Sequence, residues 1–179
     1  MIRTRLAAAL VFGLLSAPTL AHGPTPQQLS RELSVAAPAE VVWEVLRDPA
    51  AIAQWHPDVQ EAVVEGEIPG ARRKATFSSG ETLTDGIDVV NDETKLIRWR
   101  LSAENHEALP VSFYTNTVSV SAEGEGVKIL WRASFFRADT TNEPEERFSD
   151  AAAVAAMEAY VDHGLAGLKA AVEKPVALH

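Results

Sequence analysis

The sequence predicts an α+β domain in which a curved, seven-stranded antiparallel sheet wraps around one long C-terminal helix, with two short helices after the first strand. Two patterns lead to this. From Val59 to Arg137 the chain reads as six strands separated by turn residues, and Leu29 to Val35 adds one more ahead of them. From Ala151 to Val172 an alanine-rich segment repeats apolar residues every three or four positions. Such a sheet has one apolar face to cover, and a helix of roughly 30 Å is the element long enough to lie across it. A curved sheet gripping one helix is expected to leave an elongated cavity with its mouth near the two short helices.

Each element has its own signal. The first strand is broken by Ala36, Ala37 and Pro38, and Val41, Val42, Val45 and Leu46 then recur at helical spacing behind that proline. Asp48 and Pro49 end this helix, and a second short one covers Ala50 to Gln54. Trp55-His56-Pro57-Asp58 is a loop, because a residue before proline avoids the helical region. Alternation is clearest from Val127, where Val127, Ile129, Trp131, Ala133 and Phe135 share a buried face opposite Lys128, Arg132 and Ser134. Ile97, Trp99 and Leu101 point inward in the same way, with Arg98 and Arg100 outward. The final helix takes its inner face from Val154, Met157, Val161, Leu165, Leu168 and Val172, with Glu145, Glu146 and Asp150 at its start, Lys169 and Lys174 near its end, and Pro175 as its stop.

The ends and the composition bound the function. Arg3 and Arg5, an apolar run from Leu6 to Leu15, and small residues up to Ala21 form the pattern of a secretory leader over residues 1–21, which places the mature chain in the periplasm. Residues 22–28 are read as a flexible lead-in, 29–174 as the domain and 175–179 as a tail. No segment is apolar for long enough to span a bilayer. Without cysteine there are no disulfides, thiolate metal sites or thiol nucleophiles. Losing Arg3 and Arg5 leaves 14 basic residues against 25 acidic ones, a formal charge of −11 in place of −9. Nucleic acid and anionic lipid are poor partners for that field, whereas a basic protein or a neutral ligand fits it.

Order, length and the helix start Pro38-x-x-x-Val42-Trp43 resemble the helix-grip superfamily, which includes the START domains, the birch-pollen-allergen type and the polyketide cyclases. More closely, the chain is similar to the periplasmic MxaD-type accessory proteins of bacterial methanol oxidation. His22 to Gln27, Trp55-His56-Pro57, Leu109 to Ser112 with Tyr114 following, and Phe136 to Asp139 carry that resemblance over essentially the whole mature chain. It implies a non-catalytic factor that assists electron transfer between methanol dehydrogenase and its cytochrome, while the wider superfamily implies a small hydrophobic ligand in the cavity. A cyclase or dehydratase using His56 and Asp85 is the third reading.

The residues themselves leave choices open. His56, between Trp55 and Pro57, is placed to bind a ligand or partner near neutral pH, or to shape a structural turn capped by Trp55. Trp99, Trp131, Phe113, Phe135 and Tyr114 line an apolar pocket, although core packing explains them equally well; Tyr114 stands out because a buried hydroxyl needs a partner. Asp85 and Asp88, three apart on one strand, face opposite ways and make a poor catalytic pair. Arg98 and Arg100 are either solvated charge or a patch for an acidic partner. His22 at a mature N-terminus would chelate copper only with a second histidine, and His56, His106 and His163 stand at no ligand spacing. The sequence holds no nucleophile elbow, zinc-protease motif, phosphate loop or dinucleotide fingerprint, so no catalytic residue, metal or cofactor is expected.

Overall fold

The computed structural model describes residues 23–173. The leader, His22, Lys174, Pro175 and the rest of the tail lie outside the described residues. Seven strands form one sheet: β1 (Gln27–Val35), β2 (Val59–Glu65), β3 (Ala71–Phe77), β4 (Thr82–Asn91), β5 (Leu96–Ala103), β6 (Val111–Glu123) and β7 (Gly126–Arg137). Their order is β1-β7-β6-β5-β4-β3-β2, and every neighbouring pair is antiparallel. From β2 to β7 the chain meanders by short turns, which keep consecutive strands adjacent. β1 lies at the far edge, and the chain crosses from it to β2 through α1 (Ala39–Leu46), a 3₁₀ turn (Pro49–Ala51) and α2 (Ile52–Trp55). β1 begins at Gln27, inside the segment read as a lead-in, because Gln27 and Gln28 already pair with Phe135 and Ser134.

α1 buries Val42, Trp43 and Leu46, whereas Val41, expected on that face, is exposed. The indole of Trp43 turns the helix: its Nε1 donates to Asp92 Oδ1 at 2.7 Å, tying α1 to the β4–β5 turn. The second helix is shorter and later than its pattern suggested. Asp48 accepts from the amide of Ala50 at 2.9 Å and starts the 3₁₀ turn, and only Ile52 to Trp55 are α-helical before Pro57 forbids continuation.

The last helix, α3, spans Asp150–Val172 and is capped by Ser149, whose Oγ accepts from the amide of Ala152 at 3.3 Å. Met157, Val161, Leu165 and Leu168 are buried as expected, but Val154 and Val172 are only partly so, and Ala153, Tyr160 and Gly164 complete the seam. Two glycines set how closely α3 approaches. A Cβ at Gly164 would lie 2.7 Å from the Trp131 ring and 2.9 Å from that of His56, and one at Gly167 would lie 1.9 Å from the carbonyl oxygen of Trp55. The space expected to be an elongated cavity is instead occupied by Trp43, Trp99, Trp131, Phe135, Met157 and Tyr160, all buried. Among the described residues, no helix is long and apolar enough to cross a membrane.

Candidate functional site

Trp131, at the middle of β7, is the hub of the interior. Trp55, His56, Trp99 and Tyr160 surround it edge-on, with ring centroids 5.5 to 6.4 Å away. β7 supplies Trp131, β5 supplies Trp99, the last residue of α2 is Trp55 and the loop after it begins with His56, and α3 supplies Tyr160. Four of the sequence-predicted residues therefore come together, joined by Tyr160, which the sequence reading passed over because only the three-and-four spacing of aliphatic residues was followed.

His56 is buried and neutral. The amide of Asp58 donates to its Nδ1 at 3.3 Å, which leaves the ring proton on Nε2 to donate to the carbonyl of Tyr160 at 3.0 Å. The ring stacks on Tyr160 at 4.4 Å. Burial pushes its pKa down to about 4, against the pull of the Asp58 carboxylate. Both nitrogens are thus committed to backbone groups that hold the Trp55–Asp58 loop against α3.

A second polar group lies on the inner face between β3, β4 and β6. Arg73 and Asp85 are directly opposed in register, and Asp85 Oδ2 accepts from Arg73 Nη2 at 2.6 Å and from Nε at 2.9 Å. The hydroxyl of Tyr114 donates to Asp85 Oδ1, and burial holds the Tyr114 pKa well above its ordinary value. Arg73 Nη1 donates to the carbonyl of Pro49 at 3.2 Å, and the guanidinium sits 5.0 Å over the Trp99 ring. Tyr114 has found the partner its hydroxyl needed. Arg73 was missed, although its phase with Ala71, Ala75 and Phe77 puts a charge on an apolar face, and Asp85 is the opposite charge across the ladder.

Around the hub some donors have no acceptor. Trp131 Nε1 donates to Asn116 Oδ1 at 2.9 Å, but Trp55 Nε1, Trp99 Nε1 and Asn116 Nδ2 are buried with no partner among the described residues. Asn116 lies opposite Trp99 on the neighbouring strand. Each buried, unmade hydrogen bond costs about 1–3 kcal/mol, so donors in this state mark where an acceptor is needed.

Above the hub a pocket of about 290 Å³ opens between β2, the β3–β4 turn, the β5–β6 loop and α3. Phe77, Leu109 and Tyr160 give it an apolar floor, and Ser78, Asp58 and His163 a polar rim, where His163 Nδ1 lies 3.0 Å from Asp58 Oδ2. The motifs scattered through the sequence gather at this end of the sheet. The amide of Ser78 donates to the carbonyl of Asp58, that of Ala138 donates to the carbonyl of Pro110, and the buried guanidinium of Arg137 binds the carbonyls of Asp139 and Thr141 and the carboxylate of Asp150.

One expectation about these side chains needs correction. Phe113 does not line the interior: a bulge between Val111 and Phe113 breaks their shared phase, so Val111 is buried while Phe113, 40% exposed, lies on the outer face against Phe136. His106 pairs with Glu104 and His163 with Asp58, and among the described residues no group of His, Asp or Glu is arranged to hold a metal ion. Phe135 is buried beside Tyr114, its cross-strand neighbour, as read.

Residues 26–173 match a family described as polyketide cyclase/dehydrase and lipid transport. No curated protein sequence matches the chain. Among solved structures it is similar to the protein XoxI from Bacillus cereus, at 18% identity and TM-score 0.70 over 85% of this chain and 99% of that one. It is also similar to truncated norcoclaurine synthase from Thalictrum flavum, at 17% identity and TM-score 0.65 over 86% and 97%. A protein from Thermobifida fusca matches at 25% identity and TM-score 0.63 over 82% and 91%. These likenesses establish the helix-grip fold.

Proposed function

The chain belongs to the polyketide cyclase/dehydrase and lipid transport family, and we infer that it is a non-catalytic binding protein of the periplasm, taking a small, largely apolar molecule that carries a hydrogen-bond acceptor. The observation that carries this reading is the set of unpartnered buried donors, Trp55 Nε1, Trp99 Nε1 and Asn116 Nδ2, around an otherwise apolar aromatic hub. A carbonyl or ether oxygen placed there satisfies donors that the folded chain leaves open, while the rings supply apolar contact. The entry in this reading is the pocket floored by Phe77, Leu109 and Tyr160, since Tyr160 is the side chain it shares with the hub. The non-catalytic part rests on what the two candidate acid–base groups already do. His56 is bonded on both nitrogens and neutral well below pH 7, and both carboxylate oxygens of Asp85 are engaged by Arg73 and Tyr114. The periplasmic part rests on the leader pattern of residues 1–21.

The test is a matched pair of probes, cyclohexanone and cyclohexane, followed by tryptophan fluorescence and native mass spectrometry. The ketone is expected to bind more tightly and to lose its advantage in Trp99→Phe. Equal or absent binding of both, with no extra mass on protein from its own periplasm, overturns the reading.

The MxaD-type resemblance favours a second reading, in which a periplasmic methanol dehydrogenase or its cytochrome docks at the same end. Its support is the gathering there of the motifs Trp55-His56-Pro57, Leu109-Pro110 and Arg137 to Asp139. Adding the protein to a purified dehydrogenase and cytochrome is then expected to speed cytochrome reduction, an effect lost when the Leu109–Pro110 loop is replaced by Gly-Ser.

A further inference from the structure

The outer face of the sheet is as distinctive as its inner one. Along β5, β6 and β7 the outward side chains fall into three rows set by the register. Phe113 pairs with Phe136; Arg100, Thr115, Ser134 and Gln28 form the next row; Arg98, Thr117, Arg132 and Ser30 form the one beyond. Neighbouring strands lie about 4.8 Å apart and alternate residues nearly 7 Å apart, so these rows cover roughly 14 Å by 14 Å. Arg98 and Arg132 stand one strand either side of Thr117, exposed, and make no ion pair with a described residue. Arg100 reaches Asp88 only at 3.4 Å. On its other side Gly86 separates it from Arg72, also exposed, and leaves open space where a Cβ would be. A groove of about 470 Å³ runs along Gln28, Ser30, Thr115, Thr117, Arg132 and Ser134.

The chain is acidic overall, with a formal charge of −9, yet the rows along β5, β6 and β7 carry three arginines and no carboxylate, with Asp88 beside Arg100 and Glu32 two residues along β1 from Ser30 at their margin, while α1 carries Glu40 and Glu44 and α3 carries Asp150, Glu158 and Asp162. Most of the remaining cations are engaged. Arg31 pairs with Glu158 and Asp162, Arg47 with Glu44 and Asp92, Arg73 with Asp85, Arg137 with Asp150 and Arg147 with Glu107 and Glu145. The unpaired arginines are concentrated on the β5–β7 exterior and its Gly86 margin, beside exposed Phe113 and half-buried Phe136, whose ring centroids lie 6.5 Å apart.

We propose that the outer face of β5, β6 and β7 is a docking surface for an acidic protein, with Phe113 and Phe136 as its apolar anchor and Arg98, Arg100 and Arg132 as the groups that meet the partner's carboxylates. The charge separation selects an acidic occupant. The aromatic pair selects a protein over a simple polyanion, since a polyanion gains nothing from an exposed phenyl ring, whereas aromatic and arginine side chains are the enriched anchors of protein interfaces. The row dimensions match the centre of such an interface, the whole of which buries about 800 Å² on each partner. Arginine and carboxylate pairs at its rim set the association rate and its salt dependence. This surface is separate from the interior hub, so either reading stands without the other.

The test is a ¹⁵N NMR titration of the protein with a synthetic peptide of alternating Glu and Phe, in parallel with heparin and with an alternating Lys and Phe peptide. The Glu–Phe peptide is expected to shift the amides of Arg98, Thr115, Thr117, Arg132 and Ser134, and to bind about tenfold more weakly in Phe113→Ser and in Arg98→Ala/Arg132→Ala. Sedimentation of these exposed-site variants checks that they remain folded and that the wild type does not self-associate through this face. Shifts confined to other surfaces, equal binding of the Lys–Phe peptide, heparin binding that is tighter and indifferent to Phe113→Ser, or self-association abolished by Arg98→Ala/Arg132→Ala would each overturn the proposal.

Discussion

The Arg73–Asp85–Tyr114 group and the donors around Trp131 lie in the same interior, on the same sheet face, and differ in one respect: the first is closed and the second is open. Asp85 accepts three hydrogen bonds, and Arg73, bonded to it through Nε and Nη2, donates from its third nitrogen to Pro49, so the group locks the helical crossover to β3 and β4. Trp55, Trp99 and Asn116 each keep an N–H that the folded chain does not use. A closed network specifies a structure, whereas an open one with only donors left specifies the chemistry of something that is to arrive. Titratable side chains therefore belong to the architecture here, and neutral indole and amide groups mark the recognition site.

That contrast is breakable. Asp85→Ala strands the Arg73 cation in the interior, and urea unfolding is expected to register a loss of about 3–5 kcal/mol. The double replacement Arg73→Met/Asp85→Leu should recover most of it, and a small cost for Asp85→Ala alone would mean the group is not closed. Next in size is the pH dependence of His56. Its folded pKa of about 4 lies below the unfolded value of about 6.5, so its contribution is fully present above pH 6.5 and is lost as pH falls toward 4. The loss is roughly 3 kcal/mol, read as the difference between the wild type and His56→Gln in urea unfolding at pH 7 and pH 4.5.

Smaller effects sharpen the same comparison. Gly167→Ala places a methyl against the carbonyl oxygen of Trp55 and Gly164→Ala places one against two rings. A helix gains up to about 1 kcal/mol from such a change, yet both are expected to lower stability by a net ~1–3 kcal/mol, read as a drop in the thermal midpoint, Gly167→Ala more, because a backbone carbonyl yields less than a ring. Trp99→Phe removes an unused donor while keeping an aromatic ring. The smaller ring leaves a cavity, so stability is expected to fall by about 1–3 kcal/mol while the preference for the ketone over cyclohexane is lost, and a preference that survives would show that the Trp99 N–H is not the donor.

Much of this was legible from alternation and spacing. The six-strand run, the inward faces of β5 and β7, the long helix and the loop at Trp55-His56-Pro57 follow from period two, period three to four, and proline chemistry, which are local rules. Phe113 shows where they stop. Its neighbours Val111 and Tyr114 are both buried, and only a bulge reconciles the two, a feature that depends on how β6 meets β7. Val41 was misplaced because Trp43, held by Asp92 from the β4–β5 turn, turned the α1 face. The charge balance of the whole chain pointed toward a basic partner, because a total carries no information about which side of a sheet each arginine occupies.

What the amino-acid sequence determined on its own is the set of elements and, where no bulge or tertiary tie intervenes, the face a residue takes within its element, because backbone geometry converts a short-range pattern directly into a direction. What only the tertiary structure decided is which faces meet. Arg73 finds Asp85 by register, Gly164 and Gly167 let α3 settle onto Trp131 and Trp55, and Trp99 and Asn116 are left side by side without acceptors. Those pairings join residues far apart in the chain, and they arise from packing a twisted sheet against one helix, which no local period encodes.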